Sequence, residues 1–462
     1  MVKKGEIINL SIDSLAYGGR GVARHDNCVV FVDKALPNQE VNALIYKKRR
    51  GYGEARILDI LKETEKRADP VCEHFSYCGG CVHQHLDYTE QTAQKKKQVE
   101  DIFSRQVGIK DFHISNLIPT EEIYNYRNKM EFTFSNRRWT LPDEKPGINS
   151  AFALGLHVPK RWDKILDINT CHIQQTIGNE ILQFVKKESR RLELKPYDQK
   201  THNGFLRHLV LRFGINTGNI MVNFVTSYEN TELLSPLVDS LISRFPHITS
   251  VVNNINRRKG DTAYGEWENT LHGTAYIEEK IGDLTFEISS NSFFQTNTKQ
   301  AEKLYAEILK KAKLTGKETV FDLYCGTGTM ALFLAKQAQE VMGFEVVKGA
   351  VEDALRNSVR NGIANVRFVH TNLEKYVPDN SLPVPDVVIV DPPRAGLQGT
   401  AVKTVLSFGA KRIIYVSCNP ATQARDTVVL NQGGYELKSM TLVDMFPHTP
   451  HVETIGVFEP GS

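Results

Sequence analysis

From about residue 300 onward, amphipathic and apolar runs alternate in a rhythm that few folds accommodate. A helical pattern over Lys299 to Lys313 precedes the apolar run Glu318 to Asp322. A second, Thr329 to Gln339, precedes Val341 to Phe344, and a third, Lys348 to Asn361, precedes Val366 to His370. Two strongly apolar runs follow, Asp386 to Val390 and Arg412 to Val416. Strands apolar on both faces and separated by helices form a parallel sheet covered on both sides. The C-terminal third therefore reads as a doubly wound α/β domain, whose ligands lie at the carboxyl ends of its strands.

Those ends carry the chemistry. The first strand runs into Asp322-Leu-Tyr-Cys-Gly326-Thr-Gly328-Thr329, and Glu345 closes the next strand 17 residues after Gly328. There a carboxylate can take both hydroxyls of a ribose. Asn372 follows the third strand and Asp391-Pro392-Pro393-Arg394 the fourth. The layout suits a dinucleotide or S-adenosylmethionine. Ala331, at the third fingerprint position, is permitted in the dinucleotide pattern, so spacing alone does not decide. The fifth strand ends in Ser417-Cys418-Asn419-Pro420, which puts a thiol on the ligand-binding edge as a candidate nucleophile.

One methyl transfer needs such a thiol. Carbon 5 of uracil is a weak nucleophile until a thiolate adds at carbon 6 and turns the ring into an enolate. After methylation carbon 5 still holds its proton, so a general base must remove it before the thiolate leaves. The run Phe446-Pro447-His448-Thr449-Pro450-His451-Val452-Glu453 offers Glu453 and His451.

The rest of the chain points to a nucleic acid. Residues 1–62 hold four or five short apolar runs between glycine turns, the pattern of a small barrel. They carry 11 Lys and Arg against 7 Asp and Glu, although the whole chain nets only +3. Lys47-Lys48-Arg49-Arg50-Gly51-Tyr52 joins four cations to an aromatic ring, which suits phosphate contact and base stacking. Tyr88 to Phe103 reads as a surface helix, and residues 120 to 280 as mixed strands and helices. No run is apolar enough to span a bilayer and the start leads into no signal segment, so a cytoplasmic protein without membrane association is expected. Cys72, Cys78 and Cys81 cluster within ten residues and Cys171 lies far downstream. Four thiolates hold zinc or a [4Fe-4S] cluster, and a triplet with a remote fourth favours the cluster.

Together these segments resemble one family, the RNA uracil-5-methyltransferases of the RumA/TrmA type, over essentially the whole chain. Tyr126-Arg127-Asn128-Lys129 and Leu206-Arg207-His208-Leu209 are similar to its central motifs. Ser417-Cys418-Asn419-Pro420 and the segment ending in Glu453 are similar to its two catalytic signatures. The resemblance implies a multidomain fold: an N-terminal OB-like TRAM β-barrel (1–62), a central α+β domain carrying an iron–sulfur cluster (63–92 and 118–280), and a C-terminal Rossmann-like class I methyltransferase domain (93–117 and 281–462). It implies Cys418 as nucleophile and Glu453 as base. It further implies an S-adenosylmethionine pocket of Gln295, Tyr324, Thr329, Glu345, Asn372 and Asp391, and cluster ligands Cys72, Cys78, Cys81 and Cys171. The implied substrate is large-subunit (23S) ribosomal RNA, because members with both barrel and cluster mostly act there, with transfer RNA as the alternative and no obligate protein partner. A radical enzyme would need a Cys-x3-Cys-x2-Cys triplet, which is absent. A non-catalytic RNA-binding protein leaves Cys418, Glu453 and Asp391 unexplained.

Overall fold

The computed structural model describes residues 2–109, 112–141, 144, 151–376 and 382–461. The remaining positions of the domain ranges above lie outside the described residues. The first 62 residues form a six-stranded sheet: Ile7–Ser11, Ser14–Leu15, Gly21–His25, Cys28–Asp33, Glu40–Arg49 and Tyr52–Lys62. Alternating side chains of these strands, such as Val30, Val32, Val41, Ala43 and Ile45, bury a core of their own. The basic run is less of a loop than its composition implies. Lys47 to Arg49 close a strand, and Lys47 Nζ donates to Glu54 Oε1 at 2.7 Å.

The central region is a mixed seven-stranded sheet between Lys129 and Gly273, with the helices Thr176–Arg191 and Thr231–Arg244 packed on its core. The hairpin Tyr276–Ile281 and Leu284–Ser289 buries Ile277, Ile281 and Phe286 with Leu304 and Ile308 of the following helix. A border at residue 280 therefore cuts through a hairpin whose core lies in the C-terminal part.

The C-terminal sheet departs from the expected all-parallel pattern. Its first five strands, Val366–His370, Glu340–Glu345, Thr319–Leu323, Val387–Val390 and Arg412–Ser417 in spatial order, are parallel. Glu453–Pro460 then runs antiparallel beside Arg412–Ser417, followed by Tyr435–Val443 and the short strand Asn116–Ile118. The helix after the glycine turn is also shorter than its pattern, ending at Ala335.

Helix Tyr88–Gln106 is the largest difference from expectation. Its polar face, Gln91, Gln94, Lys95 and Gln98, is buried. The reason is what it touches: Lys95 Nζ donates to Asp444 Oδ1 at 2.7 Å and to the Phe446 carbonyl at 3.1 Å. Tyr88 donates to the other Asp444 oxygen, and Gln91 Oε1 accepts the His448 amide. The helix thus supplies side-chain partners to an irregular segment that lies beyond the end of its strand. Removing one member of a buried ion pair costs about 3–5 kcal/mol. Lys95→Met, with Lys95 and Asp444 each 2% exposed, is therefore expected to lower the denaturant midpoint sharply. An unchanged midpoint would show that the pair does not anchor the segment.

Candidate active site

The carboxyl ends of the parallel strands open into a cavity of about 1360 Å³. Its floor is the turn after Thr319–Leu323. Tyr324 adopts φ +65°, and its amide and that of Cys325 donate to the Phe344 carbonyl of the next strand. Gly326 and Gly328 also have positive φ, and a Cβ at Gly328 would stand 2.8 Å from Phe368 Cζ. Glu345 ties this turn down, accepting the Gly326 amide at 3.1 Å and the Val347 amide at 2.8 Å.

The antiparallel strand positions the reacting groups. Ser417 pairs with Thr454, so Cys418, just past one strand, meets Glu453, which opens its neighbour running the other way. Asp391 follows Val390 on the adjoining strand, and all three line the cavity. Gln295 enters from a loop stitched to the central sheet: Arg212 donates to the Ser290 and Ser292 carbonyls, and Asn128 to the Gln295 carbonyl. Tyr324, Glu345 and Asn372 line the same cavity. Thr329 does not. It is buried at the start of its helix, with its hydroxyl 3.3 Å from that of Thr327.

Electrostatically the pocket is carboxylate-rich. Behind the lining, burial pushes Asp322 well up, and its Oδ2 has no hydrogen-bond partner. Burial and the neighbouring Asp391 hold Glu453 far above the usual carboxylate range, and Asp391 is itself raised by desolvation. Such a crowd of carboxyls, with Glu345 beside them, fits a cationic ligand such as a sulfonium. Burial also pushes the Cys418 thiol up to about 12, the carboxylates of Glu453 and Asp391 adding to the effect and Arg394 opposing it. His451 lines the cavity too, but burial and nearby cations lower it to about 4. A base is as strong as its proton affinity, so Glu453 outranks His451 for proton abstraction.

The sign of the pH dependence follows. Cys418 must lose a proton to attack and Glu453 must be ionised to accept one, and both groups are raised. Alkylation of Cys418 by iodoacetamide is expected to climb with pH beyond about 9 without levelling. A plateau below that pH would contradict the thiol's environment.

The other cysteines sort by position. All seven are free; Cys28 lies in the core of the N-terminal sheet and Cys325 is buried within the glycine turn. Cys72, Cys78, Cys81 and Cys171 lie near one another: charge on Cys72, Cys81 or Cys171 would raise Cys78, and charge on Cys72 or Cys171 would raise Cys81. Burial pushes Cys78 up to about 12 and Cys81 to about 11. Among the described residues, however, no three His, Cys, Asp or Glu side chains stand in metal-holding geometry. By donor chemistry the four thiols still fit a cation that would relieve their mutual repulsion. Arg127 stands between this group and the cavity it lines, lowering both Cys81 and Cys171.

Several cavity residues lie outside the predicted set. Tyr264, Glu268, Phe293, Asp353 and Arg356 line it, and only Phe293 had a signal, the Phe293-Phe294-Gln295 run. Among the described residues no helix is long and apolar enough to cross a membrane.

Comparison with known proteins agrees with this geometry. The tRNA (uracil-5-)-methyltransferase family matches residues 252–379 and 384–459, and a TRAM domain matches residues 2–58. An uncharacterized RNA methyltransferase of Halalkalibacterium halodurans is 39% identical over 461 residues, 99% of this chain and 98% of its own length. The chain belongs to the RNA (uracil-5-)-methyltransferase family. Another such relative, an uncharacterized RNA methyltransferase of Chlorobaculum tepidum, is 38% identical over 99% of this chain and 97% of its own. Among solved structures, the tRNA (uracil-54, C5)-methyltransferase of Pyrococcus abyssi, in complex with S-adenosyl-L-homocysteine, superposes with a TM-score of 0.76 at 29% identity. It covers 98% of this chain and 100% of that one. The chain is thus an S-adenosylmethionine-dependent RNA methyltransferase with an N-terminal TRAM domain.

Proposed function

We propose that this cytoplasmic enzyme converts uridine to 5-methyluridine in large-subunit ribosomal RNA. The observation that carries the chemistry is Cys418 facing Glu453 across an antiparallel strand pair, beside Asp391. The Cys418 thiolate adds to uracil carbon 6, and the ring's π electrons move to carbon 5 and the carbon 4 oxygen. Gln295, Tyr324, Glu345, Asn372 and Asp391 would hold S-adenosylmethionine, which would supply the electrophilic methyl group to carbon 5, its sulfur keeping the bonding pair as S-adenosylhomocysteine leaves. Glu453 then takes the carbon 5 proton, the double bond re-forms, and Cys418 leaves as thiolate. A stacked uridine reaches this recess only when flipped out, and Phe293, 64% exposed at the cavity, offers a surface on which a base can stack.

Ribosomal RNA is supported by the combination of a barrel with four gathered cysteines. A second reading, transfer RNA, is favoured by the full-length similarity to the Pyrococcus abyssi enzyme. Incubation with each unmodified RNA and labelled cofactor, followed by nucleoside mass spectrometry, separates them: label in 5-methyluridine of ribosomal RNA alone is expected, and label in transfer RNA alone overturns the substrate.

We further propose that Cys72, Cys78, Cys81 and Cys171 hold a [4Fe-4S] cluster with a structural or RNA-contacting role, since a methyl transfer has no redox step for it. Anaerobically purified protein is expected to contain iron and acid-labile sulfide in equal amounts, both lost in Cys81→Ser. Zinc without sulfide would reassign the centre.

A further inference from the structure

One aromatic residue of the cavity comes neither from the strand ends that suit a cofactor nor from the catalytic pair. Tyr264 lies in the connection, residues 256–266, between the paired antiparallel strands Ser250–Ile255 and Trp267–Gly273 of the central sheet. Such hairpin connections take about two to five residues, and much longer ones are commonly functional. This one is held by buried polar side chains. Arg207, 2% exposed and with its guanidinium carbon 4.4 Å from the Tyr197 ring centroid, donates to the carbonyls of Asn256 at 2.7 Å, of Arg258 at 2.6 Å and of Gly260. Asp261 Oδ2 stands 3.1 Å from His157 Nε2 and Oδ1 3.2 Å from His208 Nε2, so one carboxylate ties the loop to the strands Ala153–Val158 and Leu206–Phe213. Beyond Tyr264, a Cβ on Gly265 would stand 2.6 Å from Asn254 Oδ1. Asn254 Nδ2 donates to Ser290 Oγ at 2.9 Å, and Asn291 Nδ2 donates to Asn254 Oδ1 at 3.1 Å, which joins the loop to the segment carrying Phe293 and Gln295. Ordering a loop costs conformational entropy at every residue. What the ordered loop presents is an open ring: Tyr264 lines the cavity and is 47% exposed, with Lys129 Nζ 5.5 Å from its centroid.

We propose that Tyr264 is a substrate-contacting residue whose ring stacks on the base next to the target uridine, and that Arg207 and Asp261 are positioning residues that hold the ring at the cavity. The proposal rests on the reading that the cavity receives a uridine of RNA. Flipping that uridine out unstacks its neighbour. A ring fixed in advance replaces the lost stacking partner with little further loss of side-chain freedom. An aromatic face accepts any base, so the contact adds affinity for an opened strand without choosing its sequence.

The test separates RNA from cofactor. With whichever RNA the parent protein methylates, Tyr264→Ala is expected to raise KM for RNA about ten-fold, the size of one base–aromatic stack, while Tyr264→Phe, which keeps the ring, changes it by less than about two-fold. KM for S-adenosylmethionine and the alkylation rate of Cys418 stay at the parent values. Asp261→Asn is expected to raise KM for RNA as well, and the double variant with Tyr264→Ala to be no worse than Tyr264→Ala alone. An unchanged KM for RNA in Tyr264→Ala overturns the proposal, and so does a rise in KM for S-adenosylmethionine in its place, which would give the ring to the cofactor. Additive effects in the double variant overturn the role of Asp261. Failure of the parent to methylate any uridine sinks the functional reading instead, and is scored separately. Photo-cross-linking of 4-thiouridine-substituted RNA to the Tyr264 peptide needs no turnover, and is expected in the parent and in Tyr264→Phe but not in Tyr264→Ala.

Discussion

Glu453→Gln is expected to stop the enzyme after methyl transfer, leaving RNA covalently bound to Cys418 with the new methyl already on carbon 5. The amide keeps the shape of the side chain and cannot take the proton. Without its loss carbon 5 stays tetrahedral and the carbon 6 thioether cannot be expelled. Loss of a positioned base lowers turnover by about 10²–10⁴-fold. The adduct should survive denaturing electrophoresis and carry label from the methyl group. The choice of Glu453 over His451 rests on their opposite displacements, one raised by burial and Asp391, the other lowered by burial and Arg394. Methylated adduct accumulating in His451→Gln but not in Glu453→Gln would reverse the assignment.

Cys418→Ala should have an equally large effect and the opposite signature. With no thiolate, carbon 5 is never activated, so neither adduct nor methylated RNA forms. Removal of a nucleophile typically costs more than about 10³-fold in rate. The thiol is only partly buried, so the substitution should change stability by about 0.5 kcal/mol or less, and RNA binding should persist. Methylation at the parent rate would return the chain to the class of RNA-binding proteins and leave the cavity without its reaction.

Much of this was legible in the residues because strand ends in a wound sheet have fixed meaning. Val366–His370 matches its apolar run residue for residue, and Glu345, Asn372, Asp391 and Cys418 stand at the carboxyl edge where the pattern put them. What stayed illegible was pairing between distant segments. Nothing in Tyr88 to Gln106 says that its polar face is buried, because the reason, Asp444 and the carbonyls around it, lies some 350 positions away. The antiparallel strand that brings Glu453 to Cys418 likewise looks like any apolar run until its register is known. Thr329 carried a motif position, yet its first helical turn points it inward, away from the cavity.

The proposed reaction turns on one chemical event, loss of the hydrogen on carbon 5 of uracil for every methyl group gained. RNA transcribed with tritium at uridine carbon 5 measures it directly when the cofactor carries a carbon-labelled methyl. One tritium released to water per methyl transferred, both dependent on Cys418, is the predicted result. Methyl transfer with no tritium release would place the new methyl elsewhere on the RNA and contradict the roles of both Cys418 and Glu453.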